Sequence, residues 1–264
     1  MQQETAVLVM TDAHYGKRTK TFSPEVFIKR LNKVSSTLAR LKELLGGGYE
    51  FDQLVIAMLG DMNDGTGIFA TQSHEQAVSD VEAQAWEFSE HMTGFLKDQA
   101  QLWKKVRVEC VPGNHGRAGK FAAESANWDR VAYRYMSMKA KEYAHVNYGD
   151  GSMLRKIAIR GHHYMLYHGH EIRSFGNIPW YGMLLRMSRW MSTKLAPFDV
   201  ALMGHFHTSG IWRINKIRMV LGGTMVTDDD WALRTLGWES APEWWFFGVS
   251  TKRAMTWQFP VELI

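Results

Sequence analysis

Five short segments hold most of the side chains that could do chemistry: Asp12-Ala-His14, Gly60-Asp61-Met-Asn-Asp64, Gly113-Asn114-His115, His168-Gly-His170 and Gly204-His205-Phe-His207. Six of the 11 histidines lie in them. Neutral imidazole, carboxylate and amide oxygen together form a donor set for borderline divalent ions such as Mn, Fe, Zn or Ni. Taken singly, each segment has a plain reading: Asp-x-His as a turn, Gly-Asn-His as a left-handed turn, His-x-His as two surface histidines. Five of them in one chain, each directly after an apolar run, point to a metal site instead.

Those apolar runs are the elements that must position the ligands. Residues 6–10, 53–59, 106–111, 164–167 and 200–203 read as buried strands, and longer amphipathic stretches alternate with them, which predicts an α/β layered fold. Ser23-Pro24-Glu25 opens a helix that Gly46-Gly47-Gly48 closes. Residues 73–105 are helical in character, with Trp86, Phe88, Phe95, Leu96 and Trp103 as core anchors, and a further helix covers 127–143. Residues 156–159 and 164–167 form a hairpin about Gly161, 179–195 a helix, and 211–220 and 244–249 a continuing sheet. In layered α/β folds, ligands collect at the carboxyl ends of strands, which is where all five segments stand. Strand ends from residue 12 to residue 207 that share one site predict a single domain over 1–264.

The composition is that of a globular protein, with 45% hydrophobic and 22% charged residues among 264. The single cysteine, Cys110, excludes an internal disulfide framework and a cysteine-cluster metal site. No run approaches the ~20 apolar residues that span a bilayer, and the polar start carries no signal-peptide pattern, so the expectation is a cytoplasmic protein with no membrane partner. The formal charge is only +4, yet residues 101–220 carry 19 Lys/Arg against 7 Asp/Glu. A basic block of that kind suits an anionic, phosphate-bearing partner.

The order Asp-x-His, Gly-Asp-x-x-Asp, Gly-Asn-His, His and Gly-His-x-His, running from Asp12 to His207, resembles the calcineurin-like metallophosphoesterase superfamily. The resemblance implies a four-layer αββα sandwich of two mixed β-sheets flanked by helices, with a dinuclear metal site at strand C-terminal ends. By position, Asp12, His14, Asp61 and His207 would hold one ion, and Asp61, Asn114, His168 and His205 the other, with Asp61 bridging. His168 takes the fourth motif because family members ligate through a His that precedes Gly; His170 is the fallback. Mn2+ is the expected metal, with Fe, Zn, Ni, Co and Mg as alternatives. Two ions roughly 3.5–4 Å apart can bind one bridging hydroxide, lower its pKa and clamp phosphoryl oxygens for in-line attack. His115 matches the family's catalytic histidine, which protonates the leaving oxygen or steadies transition-state charge.

The chain departs from the pattern after Gly-Asn-His, where many members carry an acid and this one has Gly116-Arg117. Asp64 and Asp129 are then the candidates to orient His115. Gly65-Thr66, where the protein Ser/Thr phosphatase branch has Arg-Gly, disfavours protein phosphatase activity. Arg117, Lys120, Arg130 and Arg173, with Arg134, are candidate contacts to substrate phosphate. The closest overall look is to DNA-repair exonucleases of the SbcD type, including Val220-Leu-Gly-Gly-Thr224, and the chain is also similar to short stand-alone phage and bacterial members. Nothing in it speaks for an ATPase partner, and a homodimer is allowed. The expected activity is phosphodiester hydrolysis, foremost as a nuclease on DNA or RNA. The alternatives are a small-molecule phosphodiesterase or phosphatase on cyclic nucleotides or nucleotide derivatives, and a metal-bound nucleic-acid-binding module with weak turnover. The five tryptophans between 231 and 257 read as packing rather than base stacking, and Asp228-Asp229-Asp230 as an acidic turn or helix start.

Overall fold

The computed structural model describes all residues except 70, 71, 176–178, 238, 240 and 241, and omits the side chains of 231, 235 and 236. Two sheets carry the chain. The first contains β1 (Gln2–Met10), β2 (Tyr49–Met58), β3 (Val106–Cys110), β4 (His145–Asn147), β10 (Glu243–Val249) and β11 (Gln258–Glu262), in the order β11-β10-β1-β2-β3-β4. The second contains β5 (Leu154–Ile159), β6 (His162–Tyr167), β7 (Val200–Met203), β8 (Gly210–Ile214) and β9 (Ile217–Leu221), in the order β5-β6-β7-β9-β8. Both are mixed: β1 runs parallel to β2 and antiparallel to β10, and β7 runs parallel to β6 and β9 while β8 is antiparallel to β9.

The alternation of side chains along β1 shows how the layers arise. Ala6, Leu8 and Met10 point to a core shared with α1 (Pro24–Leu45), α2 (Val81–Leu102) and α3 (Trp128–Lys139). Val7 and Val9 point the other way, to a core with Tyr164, Leu166, Val200, Leu202 and Val220 of the second sheet. A strand covered on both faces reads as an unbroken apolar run, which is why residues 6–10 contain no polar side chain. The far face of the second sheet packs Met165, Tyr167, Ala201 and Met219 against Met183, Met187 and Trp190 of α4 (Trp180–Trp190). The layers are therefore helix, sheet, sheet, helix, the αββα sandwich that the motif order implied. Among the described residues, no helix is long and apolar enough to cross a membrane.

Several elements differ from expectation in instructive ways. Ser23 caps α1 as its sequence suggests, accepting from the Val26 N–H with Pro24 at the first helical position. The second long helix starts only at Val81, capped by Asp80, because Gln72 and Gln76 before it are committed to hydrogen bonds with the loop after β2. The helix expected over 127–143 ends at Lys139, and that expected over 179–195 spans Trp180–Trp190. The outer strand β4 has only three residues, too few to declare a pattern, and β11 carries Pro260 within a largely exposed run. Trp86 is not a core anchor: it is 54% exposed and lies against Tyr135, with ring centroids 4.2 Å apart. The buried face of α2 passes through Ala85, Phe88, Met92, Phe95 and Leu96, and Trp86 falls outside it. Phe88→Ala should then cost about 3–5 kcal/mol in denaturant unfolding, whereas Trp86→Ala should cost under about 1 kcal/mol.

Candidate metal centre

Each candidate ligand sits on a loop that leaves a parallel strand, and the backbone there is strained. Asp12 (φ 51°), His14 (46°), Asp61 (52°), His205 (73°) and His207 (53°) all occupy the left-handed region, which non-glycine residues seldom enter. Such conformations persist where the surroundings over-determine them, and they gather at functional sites. The loops touch one another closely. A Cβ on Gly204 would lie 1.8 Å from Thr11 Oγ1 and 2.5 Å from Asp12 Oδ2, so only glycine lets the β7 loop approach the β1 loop.

Asp12 is fully buried. Its Oδ2 accepts from the Thr11 hydroxyl at 2.5 Å and from the His205 N–H at 2.9 Å, while its Oδ1 has no hydrogen-bond partner among the described residues. That Oδ1 faces His207 Nε2 at 3.3 Å and His14 Nε2 at 3.9 Å, and the two imidazole Nε2 atoms are 3.0 Å apart. His14 Nδ1 is 3.2 Å from Asp64 Oδ1, so Nδ1 carries the proton and the Nε2 lone pair points to the cluster. His168 is fixed through its other nitrogen in the same way: Nδ1 lies 2.7 Å from the Leu59 carbonyl, while Nε2 faces two oxygen acceptors, Asp61 Oδ2 at 2.9 Å and Asn114 Oδ1 at 3.0 Å. Three buried or half-buried groupings result, Asp12–His14–His207, His14–Asp61–His115 and Asp61–His168–His205, each with ligand atoms within 4.8 Å of one another. Asp61 belongs to two of them. A buried carboxylate oxygen facing the Nε2 atoms of two imidazoles, one of them held by Asp64, is an arrangement that divalent cations fit.

Charge in this cluster is uneven. Burial pulls the His168 imidazole down, but the Asp61 and Asp12 carboxylates outweigh it and raise its pKa to about 9. Burial and the neighbouring His168 hold His205 neutral, at about 3. Burial opposes ionisation of Asp61 and Asp12, yet the surrounding imidazoles keep both below the usual carboxylate range. His115 is lowered by burial and raised by more from Asp61 and Asp64, so it holds its proton above the ordinary histidine range.

His115 lines the cavity, and its orienting partners resolve the question raised by Gly116. A Cβ at Gly116 would meet Asn127 Oδ1 at 2.6 Å and Asp129 Cγ at 3.1 Å, so the space for a side chain there is already filled. Asp64 stands at the imidazole instead: His115 Nδ1 is 3.1 Å from the Asp64 carbonyl and 3.5 Å from its Oδ1. Gln72 Nε2 approaches the same nitrogen at 3.2 Å and was not foreseen; an isolated glutamine offers no sequence signal. Asp129 does something else. Its Oδ2 accepts from the Asp61 and Gly113 N–H groups at 2.9 Å each, and its Oδ1 from the Asn63 N–H and side chain at 3.1 Å. It thus ties the β2 loop to the β3 loop. His170 stands apart: its ring is 5.7 Å from His168, burial lowers its pKa to about 4, and among the described residues its ligand-like grouping is with Glu124 and Glu171.

The cavity against these ligands measures about 450 Å3 and is lined by Asp61, Asn114, His115, His205 and His207 on one side and by Phe69, Phe206 and Leu233 on others. Asp228, Asp229 and Asp230, at the start of α5 (Asp230–Leu236), form part of its wall. Among the described residues its basic side chains other than histidine are Lys17 and Lys20. Lys17 donates to Asp229 at 2.6 Å and lies 3.8 Å from Glu75. The five expected phosphate contacts lie elsewhere: Arg117 Nε donates to the Asn114 carbonyl at 3.1 Å, Arg130 bonds the Ser125 and Asp150 carbonyls, and Lys120, Arg173 and Arg134 are exposed. Of the late tryptophans, Trp244 is buried and donates to the Thr11 carbonyl at 2.9 Å, so it braces the β1 loop. Trp245 and Trp257 pack against the cores, while Trp238 and the Trp231 side chain lie outside the described residues.

Fold and site together define an αββα protein with a buried His/Asp cluster at the strand ends. No protein-family model and no curated protein matches the chain. Solved structures match loosely over nearly the full length. An archaeal protein described as a novel phosphodiesterase is 11% identical, covering 97% of this chain and 99% of its own, with a TM-score of 0.44. A conserved uncharacterised protein of Streptococcus pneumoniae, described as a predicted phosphoesterase, is 12% identical over 97% and 98%, with a TM-score of 0.36. Vps29 of Entamoeba histolytica, complexed with zinc, is 13% identical over 98% and 99%, with a TM-score of 0.40. At such scores the chemistry of the site rests on its own geometry.

Two substitutions test that geometry. Asp129→Asn replaces one of the two acceptor oxygens by an NH2 donor that faces backbone N–H groups and should cost about 2–4 kcal/mol of stability in denaturant unfolding. The Asp64 carboxyl, held low by His115 and His14 despite burial, contributes stability above the ordinary carboxylate pKa that is lost as pH falls through the depressed folded value. Asp64→Asn should therefore destabilise the metal-free protein by about 1–3 kcal/mol at pH near 7 and by progressively less as the acid range is entered.

Proposed function

We propose that the protein is a metal-dependent phosphoesterase that hydrolyses phosphodiesters, with residues 1–264 acting as one unit. The observation that carries this reading is the buried Asp12 Oδ1, without a hydrogen-bond partner among the described residues, facing the Nε2 atoms of His14 and His207, two histidines that line a cavity together with Asp61 and His115. Asp12, His14, Asp61 and His207 would hold one divalent ion, and Asp61, Asn114, His168 and His205 a second, with Mn2+ as the first choice. Such ions would supply Lewis-acid neutralisation of phosphoryl charge.

The chain's own groups supply the rest. Thr11 and the His205 N–H fix one oxygen of Asp12 and so aim the other. Asp64 fixes His14 and His115 together, and the raised affinity of His115 for its proton suits donation to a leaving alkoxide. Two substrate classes follow from different observations. The basic block of residues 101–220 favours a nucleic acid. The cavity of about 450 Å3, with Phe69, Phe206 and Leu233 beside three consecutive aspartates, favours a compact diester with low charge, such as a cyclic nucleotide or nucleotide derivative.

Metal-stripped protein reloaded with Mn2+ and assayed on single- and double-stranded DNA, RNA, cyclic nucleotides and aryl mono- and diesters separates these classes. Hydrolysis of cyclic nucleotides alone removes the nuclease reading; two bound metals with no hydrolysis of any ester removes the enzyme reading in favour of a binding module. His115→Ala should keep its metal content by elemental analysis yet lose about 10²–10⁴-fold in turnover of diesters with poor leaving groups. Loss of a metal in that variant would make His115 a ligand instead.

A further inference from the structure

We propose that the end of the inter-sheet layer opposite the metal centre is an anion-binding groove for the phosphate groups of nucleotides, free or within a strand. The reasoning starts from the β8–β9 hairpin, where Arg213 stands directly opposite Arg218 in the antiparallel register, next to the Ile214–Ile217 pair. Directly opposed like charges destabilise a ladder. Alternation places both arginines on the face that carries Ile211 and Val220, which pack in the core between the sheets. The two guanidinium groups therefore continue the inter-sheet face to its rim, at the start of β9 and away from the Leu221 end that leads to the metal loops.

The opposite wall comes from the first sheet. The segment between β10 and β11 brings Arg253 and Trp257 to face the hairpin, and with Lys216 of the β8–β9 turn they line a cavity of about 540 Å3. Four cations thus surround one hollow. None forms an ion pair among the described residues. Asp199, the carboxylate on the wall, is already used: its Oδ2 accepts from the His163 N–H at 2.8 Å and lies 3.9 Å from His162 Nδ1. Burial and the neighbouring Arg213 both disfavour the charge on Arg218, and the pair has no ion-pair partner among the described residues. Adjacent guanidinium forks match phosphate oxygens in charge and in geometry. A hydrophobic core that ends in unpaired arginines is a poor arrangement for stability alone and a good one for a phosphate. The groove is independent of whether the metal centre turns over diesters.

The test is done on the whole chain with chelator present, so that the metal centre takes no phosphate. A fluorescent single-stranded oligonucleotide is titrated by anisotropy, and adenosine monophosphate and inorganic phosphate are tested by thermal shift. At salt near about 50 mM the protein should bind, and affinity should fall steeply with added salt. Arg213→Gln/Arg218→Gln should weaken binding about tenfold or more while its melting temperature without ligand is unchanged or raised, since a repulsion is removed. Lys216→Gln/Arg253→Gln, at exposed positions, should weaken binding without a folding effect. Lys104→Gln/Lys139→Gln, the same charge change outside the groove, should bind as the parent does. Binding of the oligonucleotide alone assigns the groove to a strand; stabilisation by the mononucleotide as well assigns it to single phosphates. No binding by the parent, or equal loss in the control pair, overturns the proposal.

Discussion

Burying carboxylates and imidazoles where water cannot solvate them is the constraint around which the strand-end loops are built. Asp12, Asp61, Asp64 and Asp129 are all buried, along with His14 and His168. Ionised groups in such surroundings persist only if each finds donors or opposite charge. Asp129 takes backbone N–H groups from two loops, Asp64 takes two imidazoles, and Asp12 takes a hydroxyl and a backbone N–H. The loops are shaped to make those donations, which is why so many ligand residues adopt left-handed backbone angles. The remaining oxygen of Asp12 and the inward lone pairs of the histidines are what this scheme leaves over, and a cation is the partner that would complete it.

The two sheets divide the labour. The first sheet supplies the β1, β2 and β3 loops, with Asp12, His14, Asp61, Asn114 and His115, and is backed by three helices. The second supplies the β6 and β7 loops, with His168, His205 and His207. Contacts such as His14 with His207 and His168 with Asp61 cross from one to the other. The dry layer of valine, leucine and tyrosine between the sheets sets their separation, so packing far from the ligands controls distances at them. The same layer opens at its other end into a rim of arginines, giving the sandwich two ends of opposite chemical character: acid and imidazole at one, guanidinium at the other.

Much of this was legible in the residues. The apolar runs at 6–10 and 200–203 mark strands because a strand buried on both faces leaves no room for polar alternation, and 106–111 marks one by alternation, with Val106, Val108 and Cys110 turned to the core and Arg107 and Glu109 between them. The Gly-containing motifs after them marked the site, since ligands and tight turns both demand specific residue types. Trp86 was misread because an aromatic in an amphipathic stretch does not declare which face it takes. Gln72 and Lys17 were invisible because a single glutamine or lysine at the wall of a cavity looks like any surface residue. The cations at 117, 120, 130 and 173 lie near the motifs in sequence, but side-chain direction takes them to carbonyls or solvent.

Asp64 and Asp129 show the division most plainly. Both were candidates to replace the acid missing after Asn114-His115, because either could return to that point along the chain. Sequence by itself determined the order of the motifs along the chain, their placement after strands and the donor types, all of which depend on local patterning and residue chemistry. Only the tertiary structure decided that Asp64 faces the imidazole while Asp129 binds backbone, that His168 rather than His170 meets Asp61, and that Arg213 stands opposite Arg218. Those outcomes depend on the spacing of two sheets and the direction of side chains across them, and no local rule carries that information.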